Sequence, residues 1–150
     1  MAFFPAYKAR ELFPDAATDA AVDSLFNALY PLMYDSVTNC PTMQQSRIQN
    51  HALMAALQAQ RYRAGGNLAD LRRAADLADY ILTKQSADGA YRSGKTHYTS
   101  VIYVAKALME VMAEEKKLAD ADHAEWQHRY QKHYYSVKRA IDELARSLDN

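Results

Sequence analysis

Two stretches of the chain gather side chains able to hold a polar ligand or move a proton. Gln44, Gln45, Arg47, Asn50 and His51 form the first; Asp88, Tyr91, Arg92, Lys95, His97 and Tyr98 form the second. A carboxylate, imidazole or phenol placed against a substrate can act as general acid or base, while amide, guanidinium and ammonium groups can neutralise a nearby anion. Tyrosine adds an apolar face with a hydroxyl at its edge, which suits a sugar ring. Most of the eleven tyrosines, including Tyr30, Tyr80 and Tyr130, fall at core spacing and read as packing. Each stretch has a plain alternative: Asn50-His51 as a pair satisfied inside the core, and Tyr91 to Tyr98 as a solvated loop before a helix capped by Thr96.

Other constellations carry less. His123, His128 and His133 recur at five-residue steps, which turns each about 140° from the last, so they do not share a helix face as metal-binding histidines four apart do. Asp120 and Asp122 begin like a calcium loop but lack its glycine and closing glutamate, and read as helix caps. Asp15, Asp19 and Asp23 suit a solvated face near a helix start. A single cysteine, Cys40, excludes an internal disulfide and a thiolate-cluster zinc site, and no base accompanies it as a nucleophile. No metal and no cofactor are expected.

The elements that must position these residues are helices. Four glycines and four prolines in 150 residues leave long uninterrupted stretches, and apolar periodicity marks five helical segments and no alternating strand. The expected helices span about 18–34, 42–64, 67–85, 96–118 and 121–148, within one domain. The first starts at Thr18 as cap, carries Val22, Leu25, Phe26, Leu29 and Met33 on one face, and bends or ends at Pro31. The second stops at Gly65-Gly66 and is apolar on every side at its centre, Ala52 to Leu57. The third and fifth are one-sided, and the fourth is apolar nearly all round between Val101 and Met112.

That order, outer and inner in alternation, predicts an all-α fold of antiparallel hairpins in two layers, as in an α/α toroid or a helical-repeat array. Parallel inner helices bring both polar stretches to one rim, where free N–H groups at helix N-termini favour carboxylate or sulfate. The opposite rim, Gly65-Gly66 and Lys117 to Asp122, offers turns and scattered charges.

Composition narrows the functional classes. With 49% hydrophobic and 24% charged residues the chain reads as globular, and a domain of this size buries a core without staples. Eighteen basic against eighteen acidic residues give no net charge and no electrostatic footprint for nucleic acid. No window approaches the roughly 20 apolar residues that span a bilayer, so no membrane partner is expected, and the opening Met-Ala-Phe-Phe-Pro-Ala-Tyr lacks the features of a signal peptide.

Lys84-Gln85-Ser86-Ala87-Asp88-Gly89-Ala90-Tyr91 resembles the Gln-x-x-Asp-Gly-x-aromatic segment that recurs between outer and inner helices of α/α-toroid proteins, among them the six-hairpin glycosidases. Ala74 to Leu82 before it, and His97 to Ser100 opening the next helix, are similar to the same superfamily. The resemblance covers about residues 43–148 and two of the usual six hairpins. Asn50-His51 separately resembles the Asn-His pair on an inner helix of toroidal alginate and heparin lyases.

The first resemblance implies a glycoside hydrolase acting on an oligo- or polysaccharide, with Asp88 as acid or base. Hydrolysis uses two carboxyl groups about 5–9.5 Å apart, so a second carboxylate must come from elsewhere. The second resemblance implies a lyase on a uronic-acid polymer, with Asn50 and Arg92 neutralising the substrate carboxylate and His51, His97 or Tyr98 moving the proton. In either case Tyr91, Gln44 and Lys95 line the saccharide, self-association or the rest of a larger toroid covers the open faces, and the family suggests a periplasmic or extracellular place. The reading from another class is a non-catalytic helical scaffold or binding module.

Overall fold

The computed structural model describes residues 3–42, 47–91 and 98–149. Among them the chain forms six helices: α1 (Phe3–Leu12), α2 (Ala16–Met33), α3 (Ile48–Gly65), α4 (Leu68–Leu82), α5 (Tyr98–Asp120) and α6 (Ala124–Leu148). The extended pairing in the described residues is two isolated bridges, Tyr34 with Pro41 and Gln85 with Tyr91. The all-helical class and the α3–α4 and α5–α6 hairpins therefore stand as expected.

Several local expectations change. Helix α1 carries no clear apolar period; Arg10 ties it to α2 through Asp19 and Asp23, both at 3.1 Å. Helix α2 is capped by Asp15, whose carboxylate accepts from the Thr18 backbone N–H (3.3 Å) and hydroxyl, so Thr18 lies inside the helix. Pro31 also lies inside α2, which ends two residues later at Met33. Helix α3 begins at Ile48 rather than near residue 42. Asp120 closes α5, Asp122 takes a left-handed φ of 64° at the turn, and His123 is the residue before α6, so neither aspartate caps it.

The buried face of α2 is also rotated from the expected one. Phe26, Tyr30 and Tyr34 form a stacked aromatic row toward α3 and α4, with centroids 5.6 and 4.9 Å apart, while Leu25, Leu29 and Met33 lie outward. Large rings at four-residue steps hold α2 away from the hairpin: among the described residues no Cα of α2 comes within 8 Å of one in α3 or α4. Polar side chains occupy the gap. Arg61 of α3 lies over the Phe26 ring at 4.2 Å and pairs with Asp23 at 3.2 Å.

Helix α3 is enclosed on every side, from Met54 through Arg61 without a break. Alanines on both helices of the α3–α4 hairpin (Ala52, Ala55, Ala56 and Ala59; Ala74, Ala75 and Ala78) are all fully buried, and such small side chains allow close helix approach. Helix α5 departs from expectation: Ile102, Tyr103 and Met109 are half or more exposed. It packs on α3, α4 and α6, which cover one side of it.

A buried ionic cluster ties α4, α5 and α6 together. His133 Nδ1 lies 2.9 Å from both Glu115 oxygens and Nε2 lies 3.0 Å from Asp79 Oδ1, which also takes Lys132 at 2.7 Å. Burial alone pushes the Asp79 carboxyl up, but the hydrogen bonds and charges of His133 and Lys132 outweigh it and bring the pKa to about 2. Burial opposes the charge on His133, and the two carboxylates overcome it and raise its pKa.

Candidate functional site

The α4–α5 connection is built as a joint. Gln85 stands just past the end of α4 and sends Nε2 to the carbonyls of Gly89 (2.7 Å) and Ser136 (2.8 Å). Its Oε1 accepts from the Ser136 hydroxyl at 2.9 Å. Ser136 thus uses its one proton on Gln85, and the Tyr91 hydroxyl, 2.7 Å away, donates to Ser136. Asp88 Oδ1 accepts from Ala90 N–H at 3.1 Å and from the Ser86 hydroxyl, forming an Asx turn. Gly89 has φ +99°, and a Cβ there would sit 2.6 Å from the Arg139 carbonyl oxygen of α6. Arg139 grips the turn from above through the carbonyls of Ser86 (3.2 Å) and Ala87 (3.1 Å).

Within the first polar stretch, the described His51 lies near the end of α4 that leads into this joint. His51, in the first turn of α3, meets Tyr80 edge-on at 5.7 Å, close to where α4 ends. His51 is buried in an aromatic box: Tyr34 Oη lies 3.2 Å from Nδ1 and the Tyr34 ring stands edge-on at 5.9 Å. Burial lowers the pKa of His51, which keeps the imidazole neutral at neutral pH. Asn50 is exposed beside it. Tyr91 is 1% exposed, and burial pushes its phenol up to about 12. Of the remaining candidates, Gln44, Arg92, Lys95 and His97 lie outside the described residues, as does the side chain of Tyr98, which opens α5.

The opposite end holds a feature that the sequence does not advertise. A cavity of about 300 Å³ lies between α2 and the start of α4, lined by Asn27, Tyr30, Pro31, Ser36, Arg61, Asn67 and Arg73. The available signal was Asn27 one residue after the buried Phe26, on a flank of α2 that reads as solvated. Among the described residues no three His, Cys, Asp or Glu side chains converge as metal ligands, and no helix is long and apolar enough to cross a membrane. No protein-family model, curated protein or solved structure matches the chain.

Proposed function

We propose that this chain is a two-hairpin module of an α/α-toroid carbohydrate-processing protein of glycoside hydrolase type, with its rim at Asn50 and Asp88 facing an oligo- or polysaccharide. The observation that carries this reading is the joint at residues 85–91, where every element of the Gln-x-x-Asp-Gly-x-Tyr pattern has a defined mechanical task. Gln85 braces the turn on α6, Asp88 shapes it, Gly89 permits contact with Arg139, and Tyr91 anchors the chain leading to α5. Such a joint sets the angle between successive hairpins, which is what a curved helical array requires. An apolar groove of about 210 Å³ between Ile102 and Met109 of α5 and Ile141 of α6 would suit the packing of a further hairpin.

A second reading, the non-catalytic scaffold, is favoured by a specific observation: Asp88 Oδ1, the Tyr91 hydroxyl and His51 Nδ1 are each engaged by other groups of the protein. The burial of His51 against Tyr34 and Tyr80 also weighs against its role as the proton carrier of a lyase. Product analysis separates the readings. New reducing ends released from neutral oligosaccharides by the wild-type chain, and reduced at least tenfold in Asn50→Ala with an unchanged melting temperature, support the hydrolase. Unsaturated uronate products would point to elimination instead, and no product from either class would leave the scaffold.

A further inference from the structure

Helix α2 has an outer face without a charge. Its 18 residues include two charged side chains, and both are engaged on the inner side, Asp19 by Arg10 and Asp23 by Arg10 and Arg61. Opposite the buried Phe26 and Tyr30 run Ala17, Ala21, Ser24 and Ala28, flanked by Leu25 and Leu32, all exposed. Leu25 is 54% and Leu32 69% exposed. The solvated sides of α5 and α6 look different, with Lys116, Asp120, Lys138 and Asp142 each more than half exposed. A charge-free apolar face running the length of a helix marks a contact surface.

The distribution of size along that face points to its occupant. The first half of α2 exposes small residues, Ala16, Ala17, Ala20 and Ala21 with Ser24, and the second half exposes Leu25, Leu29, Leu32 and Met33. Two copies laid antiparallel about a two-fold axis near Ser24 set the leucines of each against the alanines of the other, so bulk meets space twice. A parallel pair would set leucine on leucine and leave the alanines apart. No like charges face each other across the antiparallel pair, and the helix dipoles run opposed. The α3–α4 hairpin of the chain already packs through alanine faces of this kind.

The size of the contact is sufficient for a reversible dimer. A helix of 18 residues is about 27 Å long and roughly 10–12 Å across, so the pair buries on the order of 500 Å² per copy, near the roughly 1,000 Å² in total at which specific interfaces begin. Leu12 and Phe13, both largely exposed just before α2, stand at the end reached by Leu32 of the partner subunit and add to that area. We propose that α2 is the two-fold interface of a homodimer, packed antiparallel on α2 of a second copy through Leu25, Leu32 and the small residues between them. The apolar groove of α5 and α6 lies on other helices and takes no part in this pairing.

Sedimentation equilibrium of the full chain, from micromolar to submillimolar concentration, tests it and should show a reversible monomer–dimer equilibrium. Leu25→Glu and Leu32→Glu, both at exposed positions, should each weaken dimerisation at least tenfold, with the melting temperature of the dilute monomer retained. Met109→Glu, in the α5–α6 groove, should leave dimerisation unchanged. In a Cys40→Ser background, Ser24→Cys should form a disulfide between copies on mild oxidation, because it lies at the axis. Ala17→Cys should not, because its counterpart in the antiparallel pair is about 20 Å away. A monomer at every concentration, a dimer that survives both glutamates, a dimer lost in Met109→Glu, or equal cross-linking at positions 17 and 24 would overturn the assignment.

Discussion

Gly89 shows how one residue type can be demanded twice over. Its positive φ disfavours any L side chain, and the carbonyl of Arg139 occupies the space a Cβ would take. Gly89→Ala should therefore cost at least about 2 kcal/mol in urea unfolding, well above an ordinary surface change. Gln58 makes the opposite case. Its amide is fully buried on α3 and neither of its polar atoms has a hydrogen-bond partner among the described residues, and Gln60 is in the same condition. An unpaired buried amide carries its desolvation penalty uncompensated, so Gln58→Met, of similar shape, should raise the unfolding free energy by about 1–3 kcal/mol. A loss of stability in that variant would mean that the amide is satisfied by bound water.

Helix by helix, the sequence was readable wherever burial followed a simple period. The Gly65-Gly66 stop, the enclosed centre of α3 and the one-sided faces of α4 and α6 all follow from spacing. Helix α2 defeated that logic because aliphatic and aromatic residues share its surface, and period alone cannot say that Phe26, Tyr30 and Tyr34 win the inner face over Leu25 and Leu29. Helix α5 defeated it for the opposite reason: an apolar stripe predicts burial but not the neighbour that would supply it. At the rim, Gln85 to Tyr91 was legible as a motif, while its partner Ser136, 51 positions from Gln85, was not.

The His133 cluster gives the helices a testable pH signature. His133, facing Glu115 of α5 and Asp79 of α4 with Lys132 beside it, has its pKa raised above 6.5. Its contribution is complete below that value and is lost as pH rises through the higher folded value. Asp79, lowered from 3.8 to about 2, contributes above 3.8 and loses that contribution only as pH falls toward 2. His51, lowered by burial, acts in the other direction and removes stability as pH drops below 6.5. Urea unfolding of wild type should thus show stability falling as pH rises above 6.5, and His133→Gln should flatten that limb and reduce the Asp79 contribution at low pH, while leaving the fall below pH 6.5 that His51 causes.

Taken whole, the molecule keeps its two polar ends apart. One end carries the joint of residues 85–91; the other side of α4 borders the cavity between α2 and the start of α4. Between them the centre of α3, from Met54 through Arg61, is enclosed, while α5 keeps Ile102 and Met109 exposed. The measurement that bears most directly on the proposed saccharide-facing rim is the melting temperature of wild type and Asn50→Ala against neutral and uronic-acid oligosaccharides. The expected result is a rise for wild type with neutral oligosaccharides, equivalent to about 2.7 kcal/mol at a hundred times the dissociation constant, and a smaller rise for Asn50→Ala. No rise with any neutral oligosaccharide, or an equal rise in both proteins, would contradict it.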